Sequence, residues 1–506
     1  MVMMTATPFS VIPATPPLLR RPTLLLLLLL LAATTTTENP TRFRTLHEPL
    51  IRLNPVIIMT RPTPCIIDTD PGVDDVLAIL LALSSPDLVV VAITLTHGNC
   101  TLASAADNLK KLFYALENEI KLGPEQEVKK RYPNIDPEWR KRHGAGPIEV
   151  YLGSEGPIEG KPVTAKYFHG KDGLGDSTTR HPDIVPPPSH HSDLYTLHLS
   201  TPALEGVQSL LARHEPGSIA YVALGPLTSL ARLHRESAAA PLAGGGSATS
   251  VLNQFSVILS MGGAVDHPGN TSPVAEFNFY ADPYAAQTIF ALALPHLYIL
   301  PLDLTSYLVL PFSLYQSAVD PTFADTTHPS DPTTEGKRPL VHFTSSFLER
   351  TREIMRSFGS EMMEQHDPTV VYALMDWARS HESLRGSNEL SEAGDKGALA
   401  PGWEWRHVDF EVETTGTITR GMLVQDHRQS SQSATSMTAQ TGLTNRAEAI
   451  EALDIAEVES HRAEGDETRA EADLRRRRSG ARVVCKAPTN ERLQRDLVKS
   501  IWGVDV

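Results

Sequence analysis

Four aspartates with the spacing of a metal site lie near residue 70: Asp68, Asp70, Asp74 and Asp75. They come directly after the apolar pair Ile66–Ile67, where a buried strand is expected to turn into a helix. At an effective dielectric constant of about 20, two carboxylates about 4 Å apart repel by roughly 4 kcal/mol, so the group needs a cation or protonation. Oxygen ligands select a hard ion, and calcium suits a flexible loop better than magnesium does. The spacing therefore predicts a calcium site.

A purely structural role would explain part of this pattern. Asp74 and Asp75 fall in the first turn of the expected helix, where the helix dipole favours anions. Caps and solvated charges could thus account for two of the four carboxylates, but hardly for all of them beside Pro71 and Gly72. The metal interpretation is favoured.

The elements that must position these residues follow an alternating pattern. From Pro64 onward, short β-branched runs alternate with amphipathic helical stretches, which predicts an α/β fold with a mostly parallel, open, doubly wound sheet and helices on both faces. Strands are predicted at Cys65–Asp68, Leu88–Leu95, Glu149–Leu152, Ile219–Leu224, Ser256–Met261 and Leu297–Leu302. Helices are predicted at Asp74–Leu83, Leu102–Glu117, Thr228–Glu236 and Pro283–Leu292. Ligands of such folds bind at the carboxyl ends of the strands.

Several segments with loop composition interrupt this alternation. They are expected to be insertions, at Gly123–Gly146, Pro186–Ser200, Ala238–Ser250 and Asp320–Pro339. The longest, residues 429–480, is Ser/Thr/Gln-rich and then highly charged. We therefore expect one catalytic domain over residues 59–506, interrupted by a low-complexity insertion at 429–480.

The N-terminal residues 1–58 are expected to form an extension outside that domain. Arg20 and Arg21 precede a run of leucines, Leu24 to Leu31, in the order of a signal peptide. At about ten residues the apolar run is shorter than the roughly 20 that span a bilayer, so no stable membrane span is expected. With three cysteines in the chain and no metal-site spacing among them, a cytoplasmic location is favoured. Secretion or import into an organelle is the alternative.

The charge of the chain limits the class of partner. A formal net charge of -15 gives no general basic field for a phosphate backbone, so nucleic-acid polymers are not expected to bind. A small neutral molecule is the expected ligand.

Further motifs follow the aspartate-rich segment in a fixed order. The first reads Asp68-Thr69-Asp70-Pro71-Gly72-Val73-Asp74-Asp75, and the later ones are His97–Asn99, Phe168–Gly175, Ala223–Thr228, Met261–Gly263, Gly269–Asn278, Ala281–Pro283, His366–Pro368 and the late hairpin Gly416–Gly421. In this order they resemble the motifs of the inosine-uridine preferring nucleoside hydrolases, whose pattern DxDPGxDD follows the first strand. The resemblance covers about residues 64–428 and resumes near residue 483.

This resemblance implies a role for each matching residue. The calcium ligands would be Asp70, Asp75, Asp367 and the backbone carbonyl of Leu224, with a water and two ribose hydroxyls completing the shell. Asp70 would also be the general base. The ribose hydroxyls would be held by Asp74, Asn270, Glu276 and Asn278, with Asn99 close to both the sugar and the water. His366 would protonate the departing base.

The implied reaction is calcium-dependent hydrolysis of the N-glycosidic bond of inosine- and uridine-type ribonucleosides, which yields ribose and free base in nucleoside salvage. Cleavage builds positive charge on the sugar ring, so carboxylates and amides around it stabilise the transition state more than the neutral substrate. The family resemblance also implies a homo-oligomer, a dimer or a tetramer, and a mobile flap near Tyr307 and Tyr315. A plain core or surface role is favoured for these two tyrosines, because tyrosine is often half-buried.

Two other functions fit parts of the pattern. Asp68-Thr69-Asp70 also resembles the nucleophile motif of haloacid-dehalogenase phosphatases, but Gly72 stands where that family needs Thr or Val. A nucleoside- or ribose-binding pseudoenzyme of the same fold is the remaining alternative, and it would be marked by loss of a metal ligand or of the base. No such loss occurs in the motifs, so the enzyme is favoured.

Overall fold

The computed structural model describes residues 61–239, 250–331, 336–384, 399–425 and 480–506. The expected N-terminal extension, residues 1–58, and the expected insertion at 429–480, apart from its last residue, lie outside the described residues.

A nine-stranded sheet forms the centre of the molecule. Its strands, in chain order, are β1 (Thr63–Thr69), β2 (Leu88–Leu95), β3 (Ile148–Leu152), β4 (Tyr195–His198), β5 (Ile219–Ala223), β6 (Phe255–Met261), β7 (Leu297–Leu300), β10 (Glu404–Asp409) and β13 (Gly480–Lys486). Two short antiparallel pairs join β8 (Val309–Pro311) to β9 (Met362–Glu364) and β11 (Glu411–Val412) to β12 (Leu423–Val424). Each of the six predicted strands is present, with ends within two residues of the expected ones.

The strand order is β10-β13-β7-β6-β5-β1-β2-β3-β4, and the strands pair in parallel except for β10, which runs antiparallel to β13 at one edge. After β1 the chain adds strands first on one side and then, from β5, on the other. The order of the strands therefore reverses between β1 and β5, and such a switch point opens a crevice at the carboxyl ends of the strands.

Helices cover both faces of this sheet. The longer ones are α1 (Val73–Ser84), α2 (Leu102–Leu122), α7 (Ala203–Arg213), α8 (Thr228–Ala239), α10 (Pro283–Phe290), α13 (Pro339–Ser357), α14 (His366–Leu384) and α15 (Asn490–Trp502). Short helices are α3 (Glu125–Arg131), α4 (Pro137–Arg142), α5 (Lys166–His169), α6 (Ser177–Arg180), α9 (Phe277–Ala281), α11 (Leu302–Thr305) and α12 (Phe312–Ala318), with 3-10 turns at Pro133–Ile135, Pro182–Ile184 and Val251–Gln254.

Side-chain alternation along β1 shows why both faces are covered. Cys65 and Ile67 pack into one apolar core with α1, α2, α13, α14 and α15, whereas Ile66 packs into a second core with α7, α8 and α10. Successive residues of a strand point to opposite faces of the sheet, so a strand with apolar side chains on both faces needs helices on both sides. The predicted doubly wound α/β fold is confirmed.

Two segments predicted as loops contain regular structure instead. Within Gly123–Gly146 the chain forms α3 and α4, and Lys129 pairs with Glu125 at the helical i,i+4 spacing while Val128 is buried. High charge suggested a loop, yet charge on the solvent side is what a short surface helix carries. Pro186–Ser200 contains β4, a four-residue edge strand whose brevity hid it among prolines and histidines.

The chain on both sides of residues 426–479 joins the same sheet, because β10 precedes that segment and β13 follows it. Residue 483, near which the family resemblance resumes, lies in β13, and α15 follows that strand. In the ranges given above, the structure has no helix that is both long and apolar enough to cross a membrane.

Candidate active site

The turn between β1 and α1 is fixed by Asp75. Its carboxylate accepts hydrogen bonds from the Gly72 backbone N–H (2.9 Å) and from the Thr69 hydroxyl (2.5 Å), which closes the turn and caps the first turn of α1. The Asn99 side-chain amide donates to the same carboxylate at 2.9 Å. The side chain that begins the helix thereby also ties it to the end of β2.

Asp70 lies in a tight enclosure at the end of β1. Its Oδ2 accepts the Asn99 backbone N–H at 2.5 Å, while Oδ1 is buried and has no hydrogen-bond partner among the described residues. A Cβ at Gly98 would lie 1.9 Å from Asp70 Oδ2, and one at Gly225 would lie 2.6 Å from Oδ1. The glycines of two separate motifs therefore make room for this one carboxylate.

Carboxylates that are far apart in the sequence meet at this point. Asp74, Asp75 and Asp367 each place one oxygen so that the three lie within 4.8 Å of one another, and all three are buried. Burial and the charges of Asp74, Asp75 and Asp70 raise the pKa of Asp367 well above its ordinary value. Burial and the charge of Asp75 raise the pKa of Asp74 to about 6 and that of Asp70 well above normal.

These four side chains, Asp70, Asp74, Asp75 and Asp367, are called the carboxylate cluster below. Asp70 is not part of the group within 4.8 Å, in which Asp74 stands beside Asp75 and Asp367. The predicted ligand Leu224 lies at the end of β5, where its carbonyl oxygen accepts the Asn278 amide at 2.7 Å. Buried oxygen donors with few compensating cations fit a hard divalent ion such as calcium.

The residues predicted to hold ribose are fixed by backbone hydrogen bonds. Glu276 accepts the N–H groups of Gly263 (2.9 Å) and Asn278 (2.7 Å), so its carboxylate caps α9. Asn270 sits at the exposed rim, where its Oδ1 accepts the Phe277 N–H at 2.9 Å. Both side chains are thus held before any ligand arrives.

His366 stands at the start of α14 between two partners. Its Nδ1 lies 2.8 Å from the Thr305 hydroxyl and its Nε2 lies 2.9 Å from Glu364 Oε2. Burial alone would lower the pKa of His366, but the hydrogen bond and charge of Glu364, with Asp74 and Glu276 nearby, raise it above the ordinary value. These neighbours therefore favour the protonated, proton-donating form of the imidazole.

One cavity of about 430 Å³ joins these features. Its polar lining contains the predicted residues Asp74, Asn99, Leu224, Asn270, Glu276, Asn278, His366 and Asp367. Asp70 and Asp75 do not line it, and both are fully buried. The cavity lies at the β1–β5 switch point, where the strand order predicts a ligand site.

Other lining residues were missed by sequence reasoning. Glu364 lies two positions before His366, a spacing that could have been noticed once β9 was recognised. The apolar wall comes from Phe168, Phe277, Met355, Phe358 and Met363. His169 accepts the Val73 N–H at its Nδ1 (3.2 Å) and so orders the start of α1.

The two tyrosines near the expected flap, Tyr307 and Tyr315, differ in their exposure to solvent. Tyr307 is 69% exposed and packs edge-on against His267, away from the cavity lining. Tyr315 is fully buried and its hydroxyl bonds with those of Thr344 and Ser345. Tyr315 is thus a core residue and Tyr307 a surface residue, which is the structural role favoured for them, because α12 turns the Tyr315 side chain into the core.

Comparison with known proteins identifies the family. A sequence model of the inosine-uridine preferring nucleoside hydrolases matches residues 65–459, well over half of the chain. The chain belongs to this family. The resemblance inferred from the motifs is confirmed.

Characterised nucleoside hydrolases are among its relatives. Uridine nucleosidase 1 of Arabidopsis thaliana is 32% identical over 227 residues, 44% of this chain and 52% of that protein. The inosine-uridine preferring nucleoside hydrolase of Leishmania major is 28% identical over 229 residues, 45% of this chain and 57% of that protein. The chain thus spans between half and about six tenths of the length of such relatives.

Solved nucleoside hydrolases share the fold. A plant nucleoside hydrolase gives a TM-score of 0.53 at 20% identity, covering 87% of this chain and 99% of that one. The purine-preferring ribonucleoside hydrolase from Gardnerella vaginalis gives 0.52 at 17% identity, covering 87% and 98%. At these identities the likeness shows a shared fold.

Proposed function

We propose that this protein is a calcium-dependent ribonucleoside hydrolase that cleaves the N-glycosidic bond of inosine- and uridine-type nucleosides to ribose and free base. The observation that carries the proposal is the single cavity in which residues from distant motifs converge on the carboxylate cluster. Its polar floor suits a sugar, and its apolar wall suits a flat heteroaromatic base.

Calcium would be held by Asp70, Asp75, Asp367 and the Leu224 carbonyl, with Asp74 close enough to join them. When bound, the ion would supply Lewis-acid activation of water and the positive charge that the cluster lacks. We assign the role of general base to Asp70, because its Oδ1 has no hydrogen-bond partner among the described residues and could accept a proton from the attacking water.

The remaining residues act on the sugar and the base. Asp74, Asn270, Glu276 and Asn278 would hold the ribose, with Asn99 beside them, and their negative and dipolar groups stabilise the positive charge that develops on the ring. Because Glu364 favours the protonated form of His366, we assign to His366 the donation of a proton to the departing base.

The test is release of ribose from inosine, uridine, cytidine, adenosine and guanosine by the full chain. After EDTA treatment we expect activity to fall to background and to return with calcium, because His366 alone cannot balance the four carboxylates of the cluster. Full turnover by protein verified as metal-free would overturn the proposal. Nucleoside binding without ribose release, at saturating calcium, would instead favour the pseudoenzyme.

We further propose that residues 59–506 form one catalytic domain interrupted at 429–480, since strands on both sides of that segment share one sheet. The three free cysteines favour a cytoplasmic enzyme in nucleoside salvage. A homo-oligomeric state, dimer or tetramer, follows from the family resemblance. Cell fractionation and light scattering would check the location and the oligomeric state.

A further inference from the structure

A second group of metal-ligating side chains lies away from the candidate active site. His181 and Asp183 are contributed by the segment that follows α6, and His342 belongs to α13. Each offers one ligand atom, and the three atoms lie within 4.8 Å of one another. None of the three lines the active-site cavity. We call them the histidine cluster.

Glu349, two turns along α13 from His342, orients one of these imidazoles. Its Oε2 lies 3.0 Å from His181 Nε2. Burial would raise the pKa of Glu349, but bonds from His181, Ser330 and Arg180 lower it, so the carboxylate is ionised and can only accept. His181 Nε2 must therefore donate in this contact, and in the tautomer with one proton on Nε2 the lone pair that can bind a metal is on Nδ1. Metal-bound histidines commonly have such a carboxylate on their other nitrogen.

His342 has an unmet hydrogen-bonding group. Its Nε2 lies 2.7 Å from Asp183 Oδ2, while its Nδ1 is buried and has no hydrogen-bond partner among the described residues. Burial lowers the pKa of His342, although Asp183 opposes this, and His181 and Lys337 add to the lowering. On balance these surroundings favour the neutral ring, which is the form that binds metals.

We propose that His181, Asp183 and His342 bind a divalent transition metal of the zinc class. Two imidazoles and one carboxylate suit zinc and its neighbours rather than calcium, which prefers oxygen. Asp183 is exposed, so a water can supply the fourth ligand from the solvent side. With zinc bonds of about 2.0–2.1 Å, tetrahedral ligands lie roughly 3.3 Å apart, so the Asp183–His342 contact would open by about half an ångström.

The position of the cluster indicates a structural effect. The segment with His181 continues from Phe168 and His169, and α13 leads to Met355 and Phe358, all four of which line the active-site cavity. A metal at the histidine cluster would cross-link these two walls. It would stabilise the folded protein by binding the native state and not the unfolded one.

The experiment measures zinc binding to the untagged full chain. The protein is treated with EDTA and dialysed, excess calcium is added to occupy the carboxylate cluster, and Zn²⁺ is titrated by calorimetry with bound metal counted by mass spectrometry. A Cys485→Ser background removes the exposed thiol. We expect one zinc per chain and a rise in melting temperature on binding.

Asp183→Asn is the decisive variant, because an exposed isosteric change should leave folding intact. It is expected to weaken zinc affinity by at least 10- to 100-fold and to abolish the thermal shift. His342→Gln should do the same. The matched control is His190→Gln, since His190 pairs with Glu117 outside the cluster. Absence of stoichiometric zinc in the parent, or unchanged affinity in Asp183→Asn, would overturn the proposal.

Discussion

Two buried groups of charged side chains differ in the sign of their charges: the carboxylate cluster contains only acids, whereas Asp320 is paired with Lys337. The carboxylate cluster gathers like charges, and burial with mutual repulsion raises the pKa values of Asp70, Asp74 and Asp367. Asp320 is also buried, but it lies 2.9 Å from Lys337 and accepts the hydroxyls of Ser345 and Thr322. Those bonds and Lys337 lower its pKa although burial would raise it.

The difference teaches how to tell a binding site from a structural ion pair. A compensated carboxylate stabilises the fold by itself, whereas an uncompensated cluster is unfavourable until a cation or substrate arrives. Burial alone does not distinguish them, because side chains of both groups are almost fully inaccessible. The sign of the neighbouring charges distinguishes the two groups.

The largest expected effect is on catalysis at the carboxylate cluster. Asp367→Asn should reduce kcat/KM for ribose release by about 10³-fold or more, because it removes a proposed metal ligand and a charge that acts in the transition state. Asp320→Asn, measured alongside at a temperature where it is folded, should stay within a few-fold of the parent. Comparable losses of kcat/KM in the two variants would show that the carboxylate cluster and the Asp320–Lys337 pair do not differ in their role in catalysis.

The free energy of unfolding should depend more on Asp320 than on Asp367, the reverse of the order expected for catalysis. Asp320→Asn removes a charge that lies 2.9 Å from the buried Lys337 ammonium, so the free energy of unfolding should fall, by up to about 3–5 kcal/mol. Urea unfolding of the calcium-free protein would measure this. Lys337→Met paired with Asp320→Leu should recover much of the loss, since a buried ion pair can be replaced by apolar residues. Unchanged stability in Asp320→Asn would mean that the pair is not compensating burial.

A smaller effect of opposite sign is expected for Asp367→Asn in the same calcium-free unfolding experiment. Removing one of several repelling carboxylates should raise the free energy of unfolding by about 0.5–2 kcal/mol. With calcium added, the parent should gain stability and the variant should gain much less. A destabilised calcium-free variant would show that Asp367 is compensated after all.

The smallest effect concerns Glu364, which holds His366. Loss of a whole general acid costs roughly 10²- to 10⁴-fold, so loss of the positioning carboxylate in Glu364→Gln should cost about 10-fold in kcat. The matched control is Glu361→Gln, an exposed carboxylate that pairs with Arg352 and Arg356. In a His366→Gln background the Glu364 effect should vanish. An equal loss of kcat in the parent and in the His366→Gln background would show that Glu364 does not act through His366.

Sequence reasoning was most accurate where the information is local. Leu88–Leu95 was predicted with its observed ends, because a run in which seven of eight residues are apolar is typical of a strand buried on both faces. It was least accurate at the edges of the molecule. There β4 is short and half-buried, and α3 and α4 carry so much charge that composition alone suggested a loop.

The sequence by itself determined the turn from β1 to α1, because Asp75 caps the helix from within that segment and Gly72 lies at its start. It also indicated, through the order of the motifs, which residues would share a site. Only the tertiary structure decided that Asp74 stands with Asp75 and Asp367, that Glu364 holds His366, and that His181 and Asp183 meet His342. The physical reason is range: capping and periodicity act over a few residues, whereas these contacts join segments far apart in the chain that only the packing of helices against the sheet brings together.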